Sequence, residues 1–268
     1  MRRHLELFSG THSFGKVSKK MGFEVYSLDR DLGACCPFGE DYKSTNHFKE
    51  DIMTWDYKQY PTGYFDLITA SPVCLWWSNC RNCWIGRKAK SIHPTDIITK
   101  KHLQDDIDKY GKPMVDKVRE IIDYFKPKHY LIENPKTGKM KTYITDLPYY
   151  DVDYCKYCNY GYKKSTRFWT NIKNFVPKIC KKDCENMITI GNKKLHKKNI
   201  ACPQSPIIVD GKLVRCNSKA LRDKYKRVHS KTLGTSKYKE VKSVGGGTSK
   251  YERYRIPPKL ITELFSHI

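Results

Sequence analysis

Short apolar runs that stop on turn residues, with helical stretches between them, dominate the first 135 residues. His4-Leu5-Glu6-Leu7-Phe8 is closed by Ser9-Gly10, Phe23 to Leu28 alternates and ends on Asp29, and Phe65 to Ala70 is halted by Ser71-Pro72. The intervening pattern is helical: Val17 to Met21 runs into Gly22, and Val115, Val118, Ile121, Ile122 and Phe125 recur at helical spacing before Pro127. Tyr130-Leu131-Ile132 then reads as a further strand. Strands alternating with helices in this way predict an α/β fold, a mostly parallel sheet with helices on both faces.

Beyond residue 173 the pattern weakens into Lys, Asn, Cys, Gly and Pro, and the charge rises. Of the chain's net +23, residues 173–250 carry +15, from 20 Lys and Arg against 5 Asp and Glu. A compact basic lobe on a near-ordinary body is the electrostatic footprint of a nucleic-acid binder, and a lysine-rich one suits phosphate neutralisation better than base reading. A solvated surface is the plainer explanation for charge alone. Gly-Thr-Ser-Lys-Tyr occurs at 234–238 and again at 247–251 around a triple glycine, which reads as a hinge. Ile256-Pro257-Pro258 opens a terminal apolar helix expected to return to the first domain.

A hydrophobic fraction of 39% argues against disorder, and no window approaches the roughly 18 apolar residues of a membrane span. Met1-Arg2-Arg3-His4 leads into a strand rather than a signal-peptide core. Eleven cysteines without an export signal point to an intracellular, reducing compartment. No membrane partner is expected.

Chemistry concentrates at strand ends. Phe8-Ser9-Gly10-Thr11-His12-Ser13-Phe14 sits between a strand and a helix, where small residues let a ligand approach backbone and a helix N-terminus offers free N–H groups. Asp29, closing the second strand, is placed to bond ribose hydroxyls, so the pair points to a nucleoside-containing cofactor. Cys74 follows Ser71-Pro72-Val73 at the end of a core strand, and Glu133 leaves another strand ahead of Asn134-Pro135. Each alone has an ordinary structural explanation; a cysteine nucleophile and a carboxylate over one cleft is less ordinary.

These blocks, with Asp51-Ile52, Thr166-Arg167-Phe168-Trp169 and Ile256-Pro257-Pro258, come in an order that resembles the cytosine-5 DNA methyltransferases, most of all the compact members from phages and large DNA viruses. The resemblance covers 5–172 well and 247–265 moderately. It implies a Rossmann-like, S-adenosylmethionine-dependent domain. Phe8, Ser9, Gly10, Thr11, Ser13 and Phe14 would wrap the methionine part of the cofactor, Asp29 its ribose, and Asp51 and Ile52 its adenine. Arg30 and Pro72 complete the cofactor candidates. Cys74 would attack C6 of a flipped cytosine, Glu133 would hold N3 and the exocyclic amine, and Arg167 would orient Glu133 and the base. His12 stands where the family has glycine, Val73 where it has a second proline, and Arg167 keeps only the last arginine of a longer motif.

The resulting expectation is a catalytic domain at 1–172, a basic target-recognition lobe at 173–246 and a returning segment at 247–268. The chain would act as a monomer on double-stranded DNA, in the cytoplasm or nucleus of a host if it is viral. An RNA cytosine-5 methyltransferase and a non-catalytic binding module on the same fold are the alternatives. Cys180, Cys184, Cys202 and Cys216 are zinc candidates, with Cys155, Cys158 and His196 also available. Spacing does not fix which four would pair, and free buried thiols are the plainer reading, so no metal site is assigned from sequence.

Overall fold

The computed structural model describes residues 1–31, 46–89, 92–190, 193–198, 200, 207–209, 212–214, 241–243 and 250–268. The chain forms two compact units, one of Met1–Val152, Ser165–Pro177 and Ile256–Ile268, the other of Asp153–Lys164 and Lys178–Arg255. Residues 153–164 therefore group with the basic segment, although they lie ahead of the 173 boundary read from composition.

The first unit is built on β1 (Arg3–Leu7), α1 (Ser13–Lys20), β2 (Glu24–Leu28), β3 (Asn46–Phe48) and β4 (Leu67–Ala70). A small hairpin, β5 (Lys88–Ala89) with β6 (His93–Ile97), precedes α2 (Lys100–Asp106) and α3 (Lys112–Phe125), which are joined by a π-helical turn at Ile107–Gly111. β7 (His129–Pro135), β8 (Tyr149–Asp153) and β9 (Ser165–Thr170) complete the sheet, whose order is β3-β2-β1-β4-β7-β9-β8. From β3 to β7 every pairing is parallel, and β9 joins β7 antiparallel. This is the α/β fold with a mostly parallel sheet expected from the alternation of strands and helices, and the Rossmann-like form that the family resemblance implies.

The pleat divides the sheet chemically. Leu5, Leu7, Ile68, Ala70 and Ile132 share a core with Val115, Val118, Ile121 and Phe125 of α3. Residues of opposite parity, His4, Glu6, Ser27 and Thr69, face α1: His4 Nδ1 lies 2.6 Å from Ser18 Oγ. The same face receives the terminal helix, Pro258–Phe265, whose Phe265 stacks on Phe14 at 6.1 Å between centroids.

The helix start departs from the pattern read in sequence. Val17 to Met21 marks only the apolar face, whereas α1 begins at Ser13, straight out of the loop. No side chain at His12 caps it; instead Glu6, on the neighbouring strand, accepts the Phe14 N–H at 3.0 Å. A capping carboxylate eight residues upstream is invisible to local pattern.

The second unit contains the hairpin β10 (Met187–Ile190) with β11 (Lys193–His196), the antiparallel set β12 (Ile207–Val209), β13 (Lys212–Val214) and β14 (Val241–Ser243), and α4 (Lys250–Tyr254). With that label the terminal helix, Pro258–Phe265, is α5. Asn186 organises the first half of this unit: its amide donates to the Cys155 and Cys158 carbonyls at 2.9 and 2.7 Å and accepts from Gly161 N at 2.8 Å. Among the described residues no helix is long and apolar enough to cross a membrane.

Candidate active site

Sheet order reverses between β1 and β4, since the chain moves outward to β2 and β3 on one side and to β4 and β7 on the other. Loops leaving adjacent strands at such a switch point diverge to opposite faces and open a crevice at the carboxyl edge. The loop after β1 is 8–12 and the loop after β4 begins at Ser71. Ser71 N donates to Leu7 O at 3.3 Å, which keeps the two exits together.

The first loop is tightly wound. Phe8, Gly10 and His12 have φ of 56°, 40° and 52°, so three alternate residues are left-handed, two of them without glycine's freedom. Asp29 fixes the turn: Oδ2 accepts the Gly10 N–H at 2.9 Å and Oδ1 accepts Asp31 N at 2.9 Å. Each carboxylate oxygen retains a lone pair for a further donor. Thr11 Oγ1 lies 2.7 Å from Ser13 Oγ, and Ser13 Oγ accepts the Ile256 N–H at 3.1 Å. Ser9 Oγ and Ser27 Oγ are buried without a partner, as is Glu6 Oε2 apart from His12 Nδ1 at 3.7 Å.

One expectation for this loop changes. Phe14 is 2% exposed and packs on Phe265 and Phe168, and its N–H is taken by Glu6, so neither its ring nor its N–H is open to a ligand. His12 stands where the family has glycine. Its ring is 4% exposed, turned toward Glu6 and set edge-on against His47 at 5.1 Å.

Farther along the edge, Arg30 is exposed and its Nη1 lies 3.6 Å from Asp51 Oδ2. Asp51 is half-open to solvent and receives Met53 N at 3.0 Å, while Ile52 is buried against the core.

The Cys74 loop is tied to the loop after β7. Asn134 Nδ2 donates to the buried Pro72 carbonyl at 2.9 Å, Asn79 Nδ2 to Thr137 O at 2.5 Å, and Lys139 N to Trp77 O at 2.8 Å. A Cβ on Gly138 would come within 3.3 Å of Trp77 O and 3.2 Å of Pro135 O, so any larger residue there would have to push the two loops apart by a few tenths of an ångström. Cys74 is half-buried and forms no disulfide. Glu133 is 6% exposed at the end of β7, beside Asn134.

Arg167 departs from its expected partner. Pairing of β7 with β9 sets Glu133 opposite Phe168 and Asn134 opposite Arg167, so the pleat directs Glu133 and Arg167 to different faces. The guanidinium grips Asp151 with both ends, Nε–Oδ1 at 2.8 Å and Nη2–Oδ2 at 3.0 Å, and lies 3.5 Å over the Tyr149 ring. Burial pushes the Asp151 carboxyl up, but Arg167 and Lys136 outweigh it and hold the group below the usual range.

Sequence reasoning missed Glu6, Asn134, Gly138 and Asp151. Asn134 alone carried a signal, standing inside the Glu133-Asn134-Pro135 block. It also missed a buried pair behind the Cys74 loop: Arg81, 2% exposed between the rings of Trp76 and Trp84, donates to Asp106, which His93 Nε2 also approaches at 3.0 Å. Of the zinc candidates, Cys180 and Cys184 lie in the second unit, while Cys202 and Cys216 fall outside the described residues.

No protein-family model matches the chain. A protein of Frog virus 3 (isolate Goorha) named "Probable DNA (cytosine-5)-methyltransferase" is 39% identical over 189 residues, 69% of this chain and 78% of the viral one. Among solved structures, a DNA modification methyltransferase encoded within an E. coli prophage superposes with a TM-score of 0.41 at 15% identity, over 72% of this chain and 54% of its own. The S. pombe Dnmt2 methyltransferase gives 0.38 at 14%, over 63% and 48%. The chain thus spans roughly half the length of those two structures. Identity of 39% sustained over most of both viral-sized sequences settles kinship where fold similarity does not: the chain belongs to the DNA (cytosine-5)-methyltransferase family.

Proposed function

We propose that this protein transfers a methyl group to C5 of cytosine in double-stranded DNA, acting as a monomer in a reducing, intracellular setting. The observation that carries the reading is the hydrogen bond from Asn134 to the Pro72 carbonyl, 2.9 Å, which couples the strand end bearing Glu133 to the loop bearing Cys74.

S-adenosylmethionine supplies an electrophilic methyl group when bound. The donor set fits it: a left-handed turn at Gly10, a carboxylate at Asp29 with lone pairs to spare, the unpartnered Ser9 hydroxyl, and the Asp51 edge backed by apolar Ile52. Ser9, Gly10, Thr11 and Asp29 would bind its amino-acid and ribose parts, and Arg30, Asp51 and Ile52 would border the adenine.

Cys74 works as a thiolate. Its sulfur forms a bond to C6 of the flipped base, and the C5=C6 electron pair becomes available at C5 to take the methyl. Loss of the C5 proton to solvent then expels the Cys74 thiolate and restores the double bond, so one proton leaves for each methyl gained. Glu133 hydrogen-bonds N3 and the exocyclic amine and stabilises the charge that builds as sulfur adds. Arg167 is a positioning residue: with Asp151 and Tyr149 it holds the β9 edge against which β7 presents Glu133.

Incubation with labelled cofactor and DNA, followed by digestion, should yield 5-methylcytosine. Cys74→Ser should abolish it while cofactor binding by calorimetry persists. DNA bearing 5-fluorocytosine should trap the wild type covalently, because fluorine cannot leave as the proton does. Product in RNA alone, or cofactor binding without any adduct, would overturn the assignment.

A further inference from the structure

Four soft donor atoms converge in the second unit, none of them used in the proposed methyl transfer. Cys155 Sγ, Cys180 Sγ, Cys184 Sγ and a ring nitrogen of His196 all lie within 4.8 Å of one another. His196 Nε2 is 3.6 Å from Cys180 Sγ and 3.4 Å from Cys184 Sγ, and all three cysteines are free thiols. A tetrahedral ion with bonds of about 2.3 Å to sulfur and about 2.0 Å to nitrogen sets its ligands about 3.5–3.8 Å apart, a spacing the two printed His196 contacts already match and the remaining pairs reach by closing no more than about 1 Å.

The surroundings are arranged for such an ion. Lys182, between the two cysteines of the loop, is left-handed at φ 65°, which turns the chain back so that both cysteines face one point. Asp153 fixes the loop from behind, accepting Cys180 N at 2.8 Å and pairing with Lys163 at 2.9 Å. The ligands come from three segments: the turn at Tyr154–Lys156, the loop at 180–184, and β11.

This unit also needs a cross-link. Its buried apolar side chains among the described residues are Tyr154, Tyr157 and Tyr162 beside Cys155 and Cys180, a small core for a segment this polar. Its 24 Lys and Arg against 7 Asp and Glu repel one another. We infer that Cys155, Cys180, Cys184 and His196 bind one structural zinc ion that staples the basic unit. Three thiolates and an imidazole suit zinc over harder cations, and a closed set of four protein ligands leaves no position for catalysis. The site is independent of the methyl-transfer reading.

The test uses the full chain, expressed with zinc and purified without chelator. Metal analysis should return one zinc per chain, and X-ray absorption should give three sulfur neighbours and one nitrogen. Cys184→Ser and His196→Gln should each lose the bound zinc. Cys158→Ser should keep it, because that sulfur turns to the Tyr154 carbonyl at 3.1 Å although it shares a C-x-x-C with Cys155. The absorption result on wild type stands even if a variant fails to fold. A zinc-free wild type, a disulfide among these cysteines, or zinc loss in Cys158→Ser with retention in Cys184→Ser would each overturn the assignment.

Discussion

His4 is wholly enclosed in β1, between Ser18 Oγ and Thr69 Oγ1 at 2.6 and 2.8 Å. Burial drives its imidazole down to about 3 from the ordinary 6.5, so the folded ring is neutral. Above pH 6.5 neither state is charged there. As pH falls below 6.5 the unfolded histidine takes a proton that the folded one refuses, and stability drops by about 1.4 kcal/mol per pH unit. Between pH 7.5 and 5 the wild type should therefore lose about 2 kcal/mol more than His4→Gln in urea unfolding. Equal losses would mean that other groups set the acid sensitivity. Asn134 offers a test nearer the chemistry. Asn134→Ala strands the buried Pro72 carbonyl at about 1–3 kcal/mol. It also frees the Cys74 loop, so kcat should fall about a hundredfold with little change in cofactor affinity. A variant with wild-type kcat would show that the hydrogen bond is not needed to place Cys74. The local sequence announced Cys74, Glu133 and Asp29 because each closes an apolar run. It could not announce Glu6 or Asp151, whose partners lie 8 and 16 residues away and are chosen by strand pairing.

The turn at Asn79–Trp84, just beyond the Cys74 loop, is held to the end of α2 by Arg81 and Asp106. Burial pushes the Asp106 carboxyl up, but Arg81 and His93 pull harder and leave it below the usual range. Its contribution to stability is present above the unfolded carboxylate value and is lost as pH falls through the lower, folded one. Asp106→Asn leaves Arg81 charged, buried and without its anion, which should cost about 3–5 kcal/mol in chemical unfolding. A loss below 1 kcal/mol would mean that water or the flanking tryptophans already compensate the charge. Nothing in the composition of 79–84 marks Arg81 as buried, since arginine in a polar turn is ordinarily exposed. Its burial follows from the hydrophobic cover of Trp76 and Trp84, each within 5.4 Å of the guanidinium.

The whole chain divides its charge unevenly, with the second unit holding 24 Lys and Arg against 7 acidic residues. Binding to duplex DNA should therefore depend steeply on salt, because each neutralised phosphate releases counterions. If that unit covers about six phosphates, affinity should fall on the order of a thousandfold between 50 and 200 mM salt. Replacing Lys181, Lys182 and Lys194, which line one cavity with Cys180 and His196, should flatten the slope without shifting sequence preference. An unchanged slope would move the phosphate contacts to the first unit.

By itself the sequence determined the α/β architecture, because short apolar runs alternating with amphipathic helices have few ways to bury both faces of a sheet. It also determined which residues end those runs at the carboxyl edge, and the order of its motifs determined the family. Only the tertiary structure decided how those residues are held. Glu6 starts α1, Asp151 takes Arg167 away from Glu133, Asn134 binds the Cys74 loop, and Cys155 joins Cys180, Cys184 and His196. Each of these depends on the register or crossing of segments distant in the chain. A local pattern encodes period and burial, whereas the partner of a polar side chain is selected by which backbone lies opposite it.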